Sequence, residues 1–135
     1  MKRTKVAKLL QNIENRANTG YVLLADADFA PCASSKKELI AARFALRDTR
    51  HVIVVFREIE CWYLAGLGSE ACRDFRVPLQ TETHHLTKEV FDGLIPRRYD
   101  SRIDWMNEIL KRYSLEEAKS RNTSFKYFAD RLGLK

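Results

Sequence analysis

Two uninterrupted apolar runs constrain this chain most: Tyr-Val-Leu-Leu-Ala at residues 21–25 and His-Val-Ile-Val-Val-Phe at 51–56. Neither alternates apolar with polar residues. Each therefore fits a strand covered on both faces, as strands of a parallel sheet are. A loop with Pro31 follows the first run, and Ser35-Lys-Lys-Glu38 then reads as a capping box that opens a helix. That helix is expected to reach about Arg47, with Leu39, Ala42 and Leu46 on one face and Ile40 and Phe44 alongside. Strand, helix and strand over residues 21–56 make a βαβ crossover, which should be right-handed.

The rest of the chain reads as helical. Residues 2–18 carry Val6, Leu9, Leu10, Ile13 and Ala17 at helical spacing, and Gly20 is a natural stop. After Phe56 the β signal fades. Glu58 to Leu67 and Lys88 to Leu94 look helical. Asp100 to Tyr113 is a stronger helix, with Ile103, Met106, Ile109 and Leu110 expected inward. Ser114-Leu-Glu-Glu117 is a second capping box. Thr123 to Leu132 closes the chain, with Phe125, Phe128 and Leu132 inward. The prediction is one α/β domain over residues 1–135, with a small Rossmann-like parallel sheet in 1–57 and a mainly helical part in 58–135.

Of the 135 residues, 45% are hydrophobic and 31% charged, which suits a folded core and excludes a disordered chain. No apolar run approaches the roughly 18 residues that a membrane-spanning helix needs. Lys5 and Lys8 interrupt any leader-like apolar stretch, so a cytoplasmic protein is expected. Cys32, Cys61 and Cys72 form no CxxC pair and read as free thiols. The net charge of +6 favours polyanionic partners, nucleic acid above all.

Asp26 and Asp28 follow the first apolar run with one alanine between them. In an extended strand, residues two apart share a face, so the two carboxylates are expected to project together. The carboxyl ends of parallel strands are also where open α/β sheets bind their ligands. Converging carboxylates repel, and a proton, a Lys or Arg, or a divalent cation must offset this. Mg2+ (or Mn2+) suits hard oxygen ligands. Acidic residues after a strand also simply tighten turns or cap helices. A second acidic pair, Glu58 and Glu60, follows the second run, which places four carboxylates on one expected sheet edge. Trp62, Tyr63 and Leu64 beside them read as core.

The segment Val-Leu-Leu-Ala-Asp-Ala-Asp-Phe at 22–29, with a helix, a strand and Glu-Ile-Glu-Cys-Trp-Tyr-Leu-Ala-Gly at 58–66, resembles the Toprim fold of topoisomerases, primases and OLD-type nucleases. The similarity is greatest to small prokaryotic Toprim-like proteins with a Glu-x-Trp element, here Glu60-Cys61-Trp62. It runs from about residue 20 onward and includes the helical tail. The resemblance implies Mg2+-dependent chemistry on nucleic-acid phosphodiesters. Asp26 and Asp28 would be metal ligands, with Glu60 a further ligand or orienting group and Glu58 a less certain member. These form the predicted catalytic set, Asp26, Asp28 and Glu60. Toprim domains open with a strand ending in a catalytic glutamate. Here a helix stands first, and the only early acid, Glu14, lies inside it. The first strand and its glutamate are thus expected to be absent. That expectation leaves an open sheet edge for a second copy or a partner subunit to cover.

Lys36, Lys37, Lys88, Arg97 and Arg98 are the candidate nucleic-acid contacts, although basic helix faces are commonly just solvated. The adjacent His84 and His85 have no third ligand at a useful spacing. Two readings stay open: a metal-dependent enzyme on nucleic acid, or a non-catalytic Toprim-like module working as a binding or interaction subunit. A phosphotransferase of the haloacid-dehalogenase type also places Asp-x-Asp after a strand. It ranks last, because Phe29-Ala30 follows here and no Asp-Asp pair stands downstream.

Overall fold

The structure, a computed structural model, describes residues 3–16, 20–28 and 30–134. The described residues form α1 (Arg3–Glu14), β1 (Leu23–Asp26), α2 (Ala33–Arg43), β2 (Val52–Val55), α3 (Ile59–Ala65), α4 (Ser69–Phe75), α5 (Lys88–Leu94), α6 (Arg102–Lys111), α7 (Leu115–Arg121) and α8 (Thr123–Arg131). They make an α/β fold whose parallel sheet has two strands, β1 and β2, and whose C-terminal half is helical. The chain divides into two compact units, Met1–Val54 and Val55–Lys135.

In the first unit, both strands form where the apolar runs predict them. The four residues of β2 are all buried, as expected of a strand covered on both faces. β1 differs, since its Leu24 stands exposed, as does Val22 just before it. α2 starts two residues before Ser35, and the predicted capping box is not used. Cys32 is the N-cap and its side chain makes no capping bond, while the Ser35 hydroxyl donates to the Cys32 carbonyl at 3.1 Å. α2 ends at Arg43, and the next turn is carried by Ala45 at φ 53°, a left-handed conformation that a helix cannot continue. Ile40 is its buried residue, while Leu39 is exposed. In α1, Leu10 is buried and Leu9 is exposed; the helix ends at Glu14, so Asn15 and Arg16 fall outside it, and the rest of the predicted stretch to residue 18 lies outside the described residues. Glu14 ties α1 to the rest of its unit. It accepts from the Tyr21 hydroxyl at 2.6 Å and pairs with Arg47 at 3.6 Å.

The second unit is a cluster of six short helices. Its core is Cys61, Leu64, Ala65, Leu67, Phe91, Trp105, Ile109, Ala118 and Ala129, all essentially inaccessible. α4, which periodicity did not predict, packs Ala71, Cys72 and Phe75 inward. The buried row of α6 is Trp105 and Ile109, four residues apart, rather than Ile103 and Leu110, which are exposed. Phe91 and Phe75 flank Trp105 at 4.7 and 6.0 Å between ring centroids. The helix starts are well capped: Thr87, Ser101, Ser114 and Asn122 each accept a backbone N–H of their own helix. The Ser114 cap is the one predicted, and it accepts from Glu117 N–H at 3.2 Å. Gly66 is required by close approach. A methyl group there would lie inside the Tyr113 ring, whose neighbour Ser114 donates its N–H to the Gly66 carbonyl at 3.0 Å.

All three cysteines are free. The buried Cys61 thiol donates to the Leu86 carbonyl at 2.6 Å, and burial raises its pKa. No helix among the described residues is long and apolar enough to cross a membrane.

Candidate functional site

Asp26 is the last residue of β1 and Asp28 lies in the turn beyond it. The chain leaves the extended conformation between them, because Asp28 has φ 52°. The two-residue alternation that would align the carboxylates therefore stops at Asp26. Asp28 is exposed and pairs with Lys36 of α2 at 3.5 Å. The Lys36 side chain is only 12% exposed, so its ammonium is held close against the unit and supplies the countercharge that a cation would otherwise bring. Asp26 is likewise not free.

Glu58 and Glu60 belong to the second unit, at the start of α3. Glu58 is the N-cap residue, yet its carboxylate turns away from its own helix and accepts the Lys88 N–H at 2.7 Å. This satisfies one of the first backbone donors of α5 and places a negative charge at that helix's positive end. Glu60 is buried, and its carboxylate accepts from Arg102 at 3.3 Å. Arg102 grips Asp92 as well, through Nε at 2.7 Å and a second nitrogen at 2.5 Å. One guanidinium thus joins α5, α6 and α3. Hydrogen bonds from Arg102 hold the Asp92 carboxyl below the usual carboxylate range, and Asp92 in turn raises the Arg102 pKa.

Each of the four predicted ligands has a partner within the chain. Two of the four predicted ligands face a cation of the chain itself, Glu58 faces a backbone N–H, and Asp26 is also engaged. Among the described residues, no three His, Cys, Asp or Glu side chains group closely enough to hold a metal ion. His84 and His85 stack on each other edge to face at 5.5 Å, both exposed.

Of the predicted basic contacts, Lys36 is engaged by Asp28 and Lys37 is not free. Lys88 begins α5, with an exposed side chain. Arg97 and Arg98 lie exposed in the segment between α5 and α6. Sequence reasoning missed Arg102 as the partner of Glu60. The separation of 42 residues leaves no local signal, and only its place in a run of basic residues pointed to it. It also missed Arg76, which ends α4, because α4 itself was not foreseen.

Comparison of the chain with protein-family models, with curated proteins and with solved structures returns no match.

The Arg102 clasp makes a pH-dependent prediction. A carboxyl whose pKa falls on folding stabilises the fold above its unfolded pKa, and that contribution is lost as pH falls through the folded value. The clasp should therefore act fully above about pH 5 and fade below about pH 4. Arg102→Met is expected to lower the urea midpoint at pH 7, where it leaves the buried Glu60 carboxylate without its cation. At pH 3 the gap between variant and wild type should narrow. An equal gap at both pH values would show that Arg102 acts through packing alone.

Proposed function

We propose that this chain is a non-catalytic Toprim-like module that binds nucleic acid as a subunit of a larger assembly. The observation that carries this reading is the engagement of the carboxylates: Asp28 with Lys36, Glu60 with Arg102, and Glu58 with the Lys88 N–H. A phosphodiester enzyme of this type needs those groups free to hold a cation and activate a nucleophile. In this chain they fix helices and turns. The net charge of +6 supports a polyanionic partner, and the exposed Leu24 of β1 and Val22 before it support association with another chain.

Calorimetric titration of Mg2+ and Mn2+ tests the reading, beside fluorescence anisotropy with a labelled oligonucleotide. No saturable metal heat is expected in the wild type. Oligonucleotide binding is expected to persist in EDTA and to weaken at least tenfold between 50 and 200 mM salt, on the order of the counterion effect of a few phosphate contacts. Saturable Mn2+ binding that disappears in Asp26→Asn/Asp28→Asn would overturn the proposal and restore a metal-dependent nuclease.

A further inference from the structure

The second unit carries a cleft of about 500 Å3 between the end of α4 and the segment that joins α5 to α6. Its inner surface is apolar: Phe75 is buried, and Leu94, Ile95 and Pro96 are half-buried. Three exposed arginines, Arg76, Arg97 and Arg98, line it as well. None of the three pairs with a carboxylate among the described residues. Arg98 instead lies over the Tyr99 ring at 5.1 Å and the Phe75 ring at 5.8 Å. The one acid in the cleft, Asp74, is already held at 2.7 Å by Arg112, the residue after α6. The cleft therefore keeps an uncompensated positive charge above an apolar floor.

Three exposed guanidinia on one concavity, none paired with a carboxylate, raise the local positive potential and favour an anion there. Guanidinium is also the side chain whose planar fork best matches a phosphate. The floor calls for a ligand that carries a flat apolar body beside that anion. A nucleotide meets both demands, with its phosphate on the arginines and its base on Leu94, Ile95, Pro96 and the Phe75 edge.

Resting on the nucleic-acid reading above, we propose that this cleft seats a nucleotide of single-stranded nucleic acid. A duplex keeps its bases stacked and paired, and could offer the arginines only its backbone. A single strand can turn a base out onto the floor.

The test is anisotropy titration of a labelled single strand and of the duplex of the same sequence. The proteins are wild type, Arg76→Ala/Arg97→Ala/Arg98→Ala, and Arg16→Ala as a charge control in the other unit. The wild type should prefer the single strand. The triple variant should lose about a hundredfold in affinity, and its salt slope should fall by roughly 2, about 0.7 for each phosphate contact removed. Arg16→Ala should bind nearly as the wild type does. Circular dichroism melts should match, since the three arginines are exposed. Wild-type binding that the triple variant retains would overturn the cleft and leave the nucleic-acid reading standing. A wild type that binds neither strand nor duplex would overturn both. Equal affinity for the duplex would overturn the single-strand assignment.

Discussion

Trp62→Ala is expected to lower the unfolding free energy by about 4 kcal/mol, as truncation of a buried tryptophan does. Trp62 is 5% exposed. Its ring meets Phe125 edge-on at 5.2 Å and Phe128 at 5.0 Å, so it seats α8 against α3. The indole N–H donates to Ser124 Oγ at 2.9 Å, and the same hydroxyl oxygen accepts the Phe56 N–H at 3.0 Å. Truncation opens a cavity between the two helices and removes one of the donors that fix Ser124. Trp62→Phe keeps most of the ring contact and loses the N–H, so it should cost about 1–2 kcal/mol. Urea unfolding of the three proteins measures both. Trp62 reads as core in the sequence, and a loss below about 1 kcal/mol in Trp62→Ala would overturn that reading, because a core tryptophan cannot be removed that cheaply.

The elements most legible in the sequence were those with a local cause. β2 follows from five consecutive apolar residues that only a doubly covered strand accommodates. α5 follows from the periodic run at 88–94, and α7 from the Ser114 capping box. Where a choice depended on neighbours, local pattern failed. The periodicity of α6 allowed two apolar faces. The structure buries Trp105 and Ile109 because Phe91 and Phe75 supply rings for Trp105 to pack against. The Ser35 capping box and the Cys32 start of α2 lie three residues apart, and the helix takes the earlier start, with the Ser35 hydroxyl turned to the Cys32 carbonyl. β1 has the composition of a doubly covered strand, yet its Leu24 stands exposed. Composition reports what a strand tolerates, and coverage depends on what the rest of the chain supplies.

The candidate site was legible only as a set of residues. Of the four, Asp26 ends β1 and Asp28 lies in the turn beyond it, whereas Glu58 caps α3 and Glu60 lies inside that helix. Their chemistry depends on partners 8, 30 and 42 residues away, and no spacing rule reaches those. The extended-strand geometry that would have aligned Asp26 with Asp28 fails at a single dihedral, φ 52° at Asp28. Aspartate tolerates that conformation better than most residues, so the sequence carries no warning of it.

Asn122→Ala should destabilise the second unit by about 3 kcal/mol, through lost hydrogen bonds rather than lost volume. The side chain is 1% exposed, and its amide N–H groups donate to the Phe56 carbonyl at 3.1 Å and to Thr83 Oγ1 at 3.0 Å. Its amide oxygen accepts from the Ser124 hydroxyl at 2.7 Å and from the Phe125 N–H at 3.0 Å, which caps α8. Four groups from three parts of the chain therefore meet on one side chain. Removing it leaves buried donors and acceptors without water to replace it, and such groups cost about 1–3 kcal/mol each when unsatisfied. Asn122→Asp separates the two halves of the role. It keeps the acceptor for Phe125 and Ser124, but it loses both donors and buries a charge against the Phe56 carbonyl. The aspartate should therefore be at least as destabilising as the alanine at pH 7, and should recover part of the loss near pH 3, where the carboxyl is protonated and can donate again. Thermal melts at the two pH values check this. An aspartate as stable as the wild type at pH 7 would mean that α8 capping alone accounts for Asn122, and that the bonds to Phe56 and Thr83 contribute nothing.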